Sequence, residues 1–90
     1  MTNEKIFTIL NKYSKFLNKK GYKSRAIKQK LYYPNDIDAM GHVLVMIPRI
    51  KQFIKEERRE KAFRWLGFVQ GILWSYGEYT IEELRDHNKI

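Results

Sequence analysis

Ninety residues make one small domain, of a size that buries only about 60–65% of its unfolded surface. At 43% apolar and 14% aromatic the chain is globular rather than disordered. The absence of cysteine excludes disulfides and thiolate metal sites and makes a reducing cytosol the expectation.

The net charge of +8 is unevenly placed. Residues 1–35 hold nine lysines and arginines (Lys5, Lys12, Lys15, Lys19, Lys20, Lys23, Arg25, Lys28, Lys30) against one acid, Glu4. Residues 36–90 balance nine basic against nine acidic residues. The whole excess therefore lies in the first third, which points to an anionic partner such as nucleic acid, nucleotide, acidic protein or anionic lipid. A solvated lysine face that only aids solubility is the plainer alternative. No apolar run approaches the roughly 18 residues of a membrane span and no leader opens the chain, so a soluble cytoplasmic protein without membrane partners is expected.

In chain order, the first element is an amphipathic helix over about Asn3–Lys20, capped by Thr2 or Asn3 and ended by Gly21. Ile6, Ile9, Leu10, Tyr13, Phe16 and Leu17 recur with the period of one helix face. The connector "YKSRAIKQKLYYPND" is open between short helix, strand and ordered loop, and Pro34 ends whatever precedes it. A second helix starts near Asn35 or Asp36, with Met40, Val43, Leu44, Ile47, Ile50 and Ile54 on one face. Pro48 is expected to kink or divide it, because its ring clashes with the carbonyl four residues back. "KEERREK" (55–61) reads as a solvated turn to a third helix that ends at Gly77. In "YTIEEL", Thr80 and Glu83 form a capping box, with Tyr79 and Leu84 as a hydrophobic staple, opening a short helix over Ile81–Asn88.

The third helix has two apolar faces at 100° per residue. Ala62, Trp65, Leu66, Val69, Leu73 and Tyr76 make the main one; Phe63 and Trp74 lie across the helix, flanked by Gly67, Gly71 and Gln70. Gly67 and Gly71 form a smooth strip where alanine would be about 1 kcal/mol better at each position. Such a strip suits a closely packed helix of the same chain, a homo-oligomer contact, or a flat ligand lying on the backbone. Self-association is a common remedy for a small core, and the interface is assigned to Phe63, Gly67, Gly71 and Trp74.

"RWLGFVQGILWSYGEYTIEELRDHN" resembles a set of small tailed-bacteriophage proteins that share an RWLGF-QG-LW core and a YTIEELRDHN-like ending. The likeness covers roughly residues 60–88 and leaves the basic third uncovered. It implies a phage context, hence a bacterial host cytoplasm, and supplies no activity or catalytic residue.

Titratable groups suited to catalysis are few. Asp38 and His42 stand four residues apart on the second helix, as an acid–base pair, two metal ligands or a plain hydrogen bond at the helix start. Asp86–His87 is expected to be frayed and solvated. No Walker loop, GxGxxG or nucleophile motif occurs, so a non-catalytic protein with no cofactor or metal is expected. Binding is better supported: tyrosines interleave with the basic residues, and Lys/Arg with stacking rings is the combination that nucleotide and single-strand sites use. Tyr13 is assigned to the core. Lys19, Lys20, Lys23, Arg25, Lys28 and Lys30 are the candidate anion ligands, with Tyr32 and Tyr33 for stacking.

The expectation is an all-α helical bundle of three main helices plus a short capped one, assembled as a homo-oligomer. It forms a single domain over 1–90: a basic helix and connector (1–35), then a charge-neutral core and oligomerisation region (36–90). The leading function is an anti-defence protein that sequesters a small nucleotide-type immune signal in pockets between subunits. Nucleic-acid binding and docking on a host protein are the alternatives.

Overall fold

The computed structural model describes residues 1–27 and 34–89, and these form an all-helical bundle. Its elements are α1 (Asn3–Lys19), α2 (Asp36–Lys55), α3 (Arg59–Ser75) and α4 (Ile81–Asn88). No described helix is long and apolar enough to cross a membrane.

Local chemistry sets the boundaries. The Thr2 hydroxyl accepts from the Lys5 amide and the Asn35 side chain from the Asp38 amide, so α1 and α2 both start on side-chain caps. At α4 the capping box is complete, the Thr80 hydroxyl and the Glu83 carboxylate each accepting from the other residue's amide. Tyr79 and Leu84 are both buried beside it.

Three helices end in the same way. The amide two residues past the cap donates to the carbonyl at the C3 position, and the preceding amide donates to C2, the Schellman pattern. These pairs are Tyr22 to Leu17 and Gly21 to Asn18, Arg58 to Phe53 and Glu57 to Ile54, and Glu78 to Leu73 and Gly77 to Trp74. The residue in the left-handed region is Gly21 at φ 93° and Gly77 at φ 73°, but at the α2–α3 turn it is Glu57 at φ 62°.

α2 continues without a break through Pro48, whose ring lies on the exposed side. Of the expected kink or division, the division does not occur: the side away from Pro48 stays packed through Val43, Met46 and Ile50. α3 lies against α2 as a helical hairpin, and α1 packs across α2. The core takes Ile6, Leu10, Tyr13 and Leu17 from α1, Met40 through Ile54 from α2, and Ala62, Leu66, Val69 and Leu73 from α3. At about 0.8 kcal/mol per buried methylene, these side chains dominate the stability.

A polar chain inside the bundle ties α4 down. Gln70 faces inward rather than flanking Phe63 and Trp74, because its amide has partners there. Its Nε2 donates to the Tyr13 hydroxyl at 2.9 Å and to Asn88 Oδ1 at 2.7 Å, and Asn88 Nδ2 returns a bond to Gln70 Oε1 at 3.0 Å. The Tyr13 oxygen lies 3.0 Å from His87 Nδ1. Tyr13 is fully buried, as expected, and burial pushes its hydroxyl pKa up to about 12. Asp86 is exposed as expected, but His87 is half-buried within α4, its ring packed against Tyr13 and Tyr79.

Candidate functional site

Residues 22–27 run over α2 with no helix or strand of their own. The Arg25 amide donates to the Gly41 carbonyl at 3.0 Å. A Cβ at position 41 would stand 2.7 Å from Arg25 Cβ and 2.8 Å from the Lys23 carbonyl oxygen. Only glycine lets the connector lie this close to the helix. Gly41 is thus the glycine on which chain packing depends, and sequence reasoning passed over it. Its signal was a glycine on the core face of a helix, between Met40 and Val43.

This close approach frames a cleft of about 450 Å³ lined by Lys20, Gly21, Tyr22, Lys23, Ser24, Arg25 and the exposed Ile37. The volume falls within the usual range for small-molecule sites. Lys20 ion-pairs with Glu78, and Arg25 Nε lies 3.1 Å from Asp38 Oδ1. The Tyr22 hydroxyl donates to Asp36 Oδ2 at 3.2 Å. In both ion pairs the carboxylate is shielded and the cation exposed: 6% against 45% for Glu78 and Lys20, and 19% against 63% for Asp38 and Arg25. Each carboxylate is thus covered while its cation, which lines the cleft, stays open to solvent. The hydrogen bond to Glu78 raises the Lys20 pKa, keeping it charged. Lys23 makes no ion pair among the described residues.

Of the expected anion ligands, Lys20, Lys23 and Arg25 meet at this cleft, while Lys19 is exposed at the end of α1. Lys28, Lys30, Tyr32 and Tyr33 lie outside the described residues. Ser24 and Ile37 were not foreseen as lining the cleft. Neither the acid–base pair nor a hydrogen bond is found between Asp38 and His42; Asp38 pairs with Arg25 instead. His42 Nδ1 is buried without a partner among the described residues, and burial, with Arg49 nearby, lowers its pKa. No group of three or more potential metal ligands occurs among the described residues.

On α3, no described atom comes within 4 Å of a Cβ built at Gly67 or Gly71, apart from the helix's own backbone and chain neighbours. No described helix packs directly on the strip, although α4 borders it: Gly71 and Trp74 share a cavity of about 230 Å³ with Ile81, Leu84, Arg85 and Asn88. Phe63, Phe68 and Trp74 share the exposed side of the helix, with Ile81 of α4 next to Trp74.

Two further basic groups are taken up by the fold. Arg59 donates to the Met1 carbonyl at 2.6 Å and to the Asn3 side chain, and Arg58 pairs with Glu56 at 3.6 Å. Comparison with protein-family models, with curated proteins and with solved structures finds no match.

Proposed function

We propose that this chain is a non-catalytic binding protein that takes up a small nucleotide-type anion at the connector cleft and acts as a homo-oligomer. The observation that carries the reading is the cleft itself: three cations, a tyrosine, a serine hydroxyl and an exposed isoleucine around about 450 Å³. A phosphate would engage Lys23 first and then the exposed parts of Lys20 and Arg25. Tyr22 and Ile37 offer the apolar surface on which a base or ribose would lie. Together with the resemblance to small phage proteins, this supports sequestration of a nucleotide signal of bacterial immunity in the host cytoplasm.

A second reading rests on a different observation. Lys12, Lys15 and Lys19 stand exposed on one side of α1 at spacings of three and four residues, a ridge suited to a polynucleotide backbone. The two readings separate by salt, since binding to a phosphate chain weakens steeply through counterion release.

The test is a thermal-shift panel of cyclic dinucleotides, ADP-ribose derivatives and short DNA at about 0.05 and 0.3 M salt. A ligand at 100 times its Kd adds about 2.7 kcal/mol of stability. The expected result is a salt-resistant shift with one small nucleotide, lost in Lys23→Glu and in Lys23→Glu/Arg25→Glu with the fold retained. A shift seen only with DNA and erased by salt would move the function to the α1 ridge. No shift with any of these ligands would leave docking on a host protein as the working alternative.

A further inference from the structure

α4 is held by little apolar contact: of its eight residues only Leu84 is buried. The rest of its seat is polar, with Asn88 on Gln70 and His87 on Tyr13. The hydrogens of that seat are fully committed. Gln70 Nε2 gives one to the Tyr13 oxygen and the other to Asn88 Oδ1, and the Gln70 carbonyl is taken by Asn88 Nδ2. The Tyr13 proton is left with one acceptor, His87 Nδ1 at 3.0 Å. Tyr13 has no exposed surface, so bulk water does not replace that nitrogen.

We propose that one proton taken up at His87 Nδ1 unfastens α4 from the bundle while α1, α2 and α3 stay packed. A protonated Nδ1 is a donor; it meets the Tyr13 hydroxyl donor to donor and leaves a buried O–H without an acceptor. The charge is also badly placed in the docked helix. Burial opposes it first, and Lys12 and Lys5 of α1 add to this, against Glu83 and Asp86 of α4. Tyr79 brings an uncharged ring and α3 the neutral Gln70. Undocking reverses each of these terms. His87 regains water, Lys12 and Lys5 stay behind on α1, and Glu83 and Asp86 travel with the histidine. The bundle outlasts the loss because the core is built almost wholly from α1, α2 and α3. This inference stands apart from the connector cleft and from any ligand.

The test is native-state hydrogen exchange by NMR on the intact chain, each amide corrected for its intrinsic rate at the pH used. A single histidine with an unfolded pKa near 6.5 allows at most about a tenfold rise in the open population from pH 7.5 to pH 5.5. Protection at the amides of residues 84–88 should fall about three- to tenfold over that interval, with residues 43–50 and 66–73 nearly unchanged. His87→Gln, which takes up no proton, should remove the pH dependence. The wild-type His87 ring resonances give a readout that needs no variant: they should titrate below the ordinary histidine value, in step with the loss of α4 protection. Protection in α4 that ignores pH would overturn the proposal. So would a loss shared equally by α2 and α3, a loss centred on α2 around His42, or one that persists in His87→Gln. A protonated His87 with α4 still protected would mean that Gln70 and Asn88 turn their amides over together to accept the Tyr13 proton, and it too would overturn the proposal.

Discussion

Glu57 occupies a backbone conformation that L side chains avoid, φ 62°, at the point where α2 turns into α3. The same position is glycine after α1 and after α3. The turn is held by the Arg58 and Glu57 amides and by the Arg58 guanidinium, 5.3 Å from the centre of the Phe53 ring. Left-handed strain of about 1–2 kcal/mol for a non-glycine residue is partly offset by the greater freedom glycine would have in the unfolded chain. Glu57→Gly should therefore stabilise the protein by about 0.5–1 kcal/mol, a rise of roughly 2–8 °C in Tm. An unchanged or lower Tm would mean that the Glu57 side chain contributes something the backbone geometry does not explain.

At the scale of elements, the contrast among the helical glycines is decisive. Gly41 has the connector against it, and Gly67 and Gly71 have nothing described within 4 Å. Gly41→Ala should push residues 23–25 off α2 and cost about 1–3 kcal/mol as an overpacking substitution. Trypsin should then cut after Lys23 and Arg25 faster than in the wild type, whereas Gly67→Ala should leave the cutting rate unchanged. Equal rates in wild type and Gly41→Ala would show that the connector is not held at this point. The sequence carried the four helices clearly, because caps, apolar period and the Gly21 and Gly77 stops are short-range signals that agree with one another. It did not carry the Gly41 contact, the inward turn of Gln70 or the Arg25–Asp38 pair, because each depends on which distant segment arrives there. The basic third was legible as a charge block, yet charge alone could not tell that Lys20 and Arg25 come paired with carboxylates.

For the whole molecule, one hydrogen-bond chain joins residues 74 positions apart. Gln70 donates to the Tyr13 oxygen, which leaves the Tyr13 proton for His87 Nδ1. A neutral His87, its own proton on Nε2, accepts it at Nδ1. Burial lowers its pKa first, followed by Lys12; Glu83 and Asp86 oppose this, and Lys5 adds to it. Because the folded-state pKa lies below the unfolded value near 6.5, the unfolded chain binds the extra proton. Stability is full above that value and falls as acidification proceeds through the folded pKa. His42 is shifted the same way. Tm should fall between pH 7 and pH 5, and His87→Gln, which keeps an acceptor for Tyr13, should flatten the slope. A slope unchanged by His87→Gln would assign the effect to His42.

The reciprocal amide pair of Gln70 and Asn88 also sets an order of assembly. α4 docks on groups supplied by both α1 and α3, so its seat does not exist until those helices have packed on α2. It is therefore expected to close last and let go first, a release that would uncover the polar groups of Tyr13 and Gln70 while the α2–α3 hairpin stays intact. The expected lowest partial opening is thus this eight-residue helix lifting away, and how often that happens would set how often a quality-control protease finds the bundle unlatched.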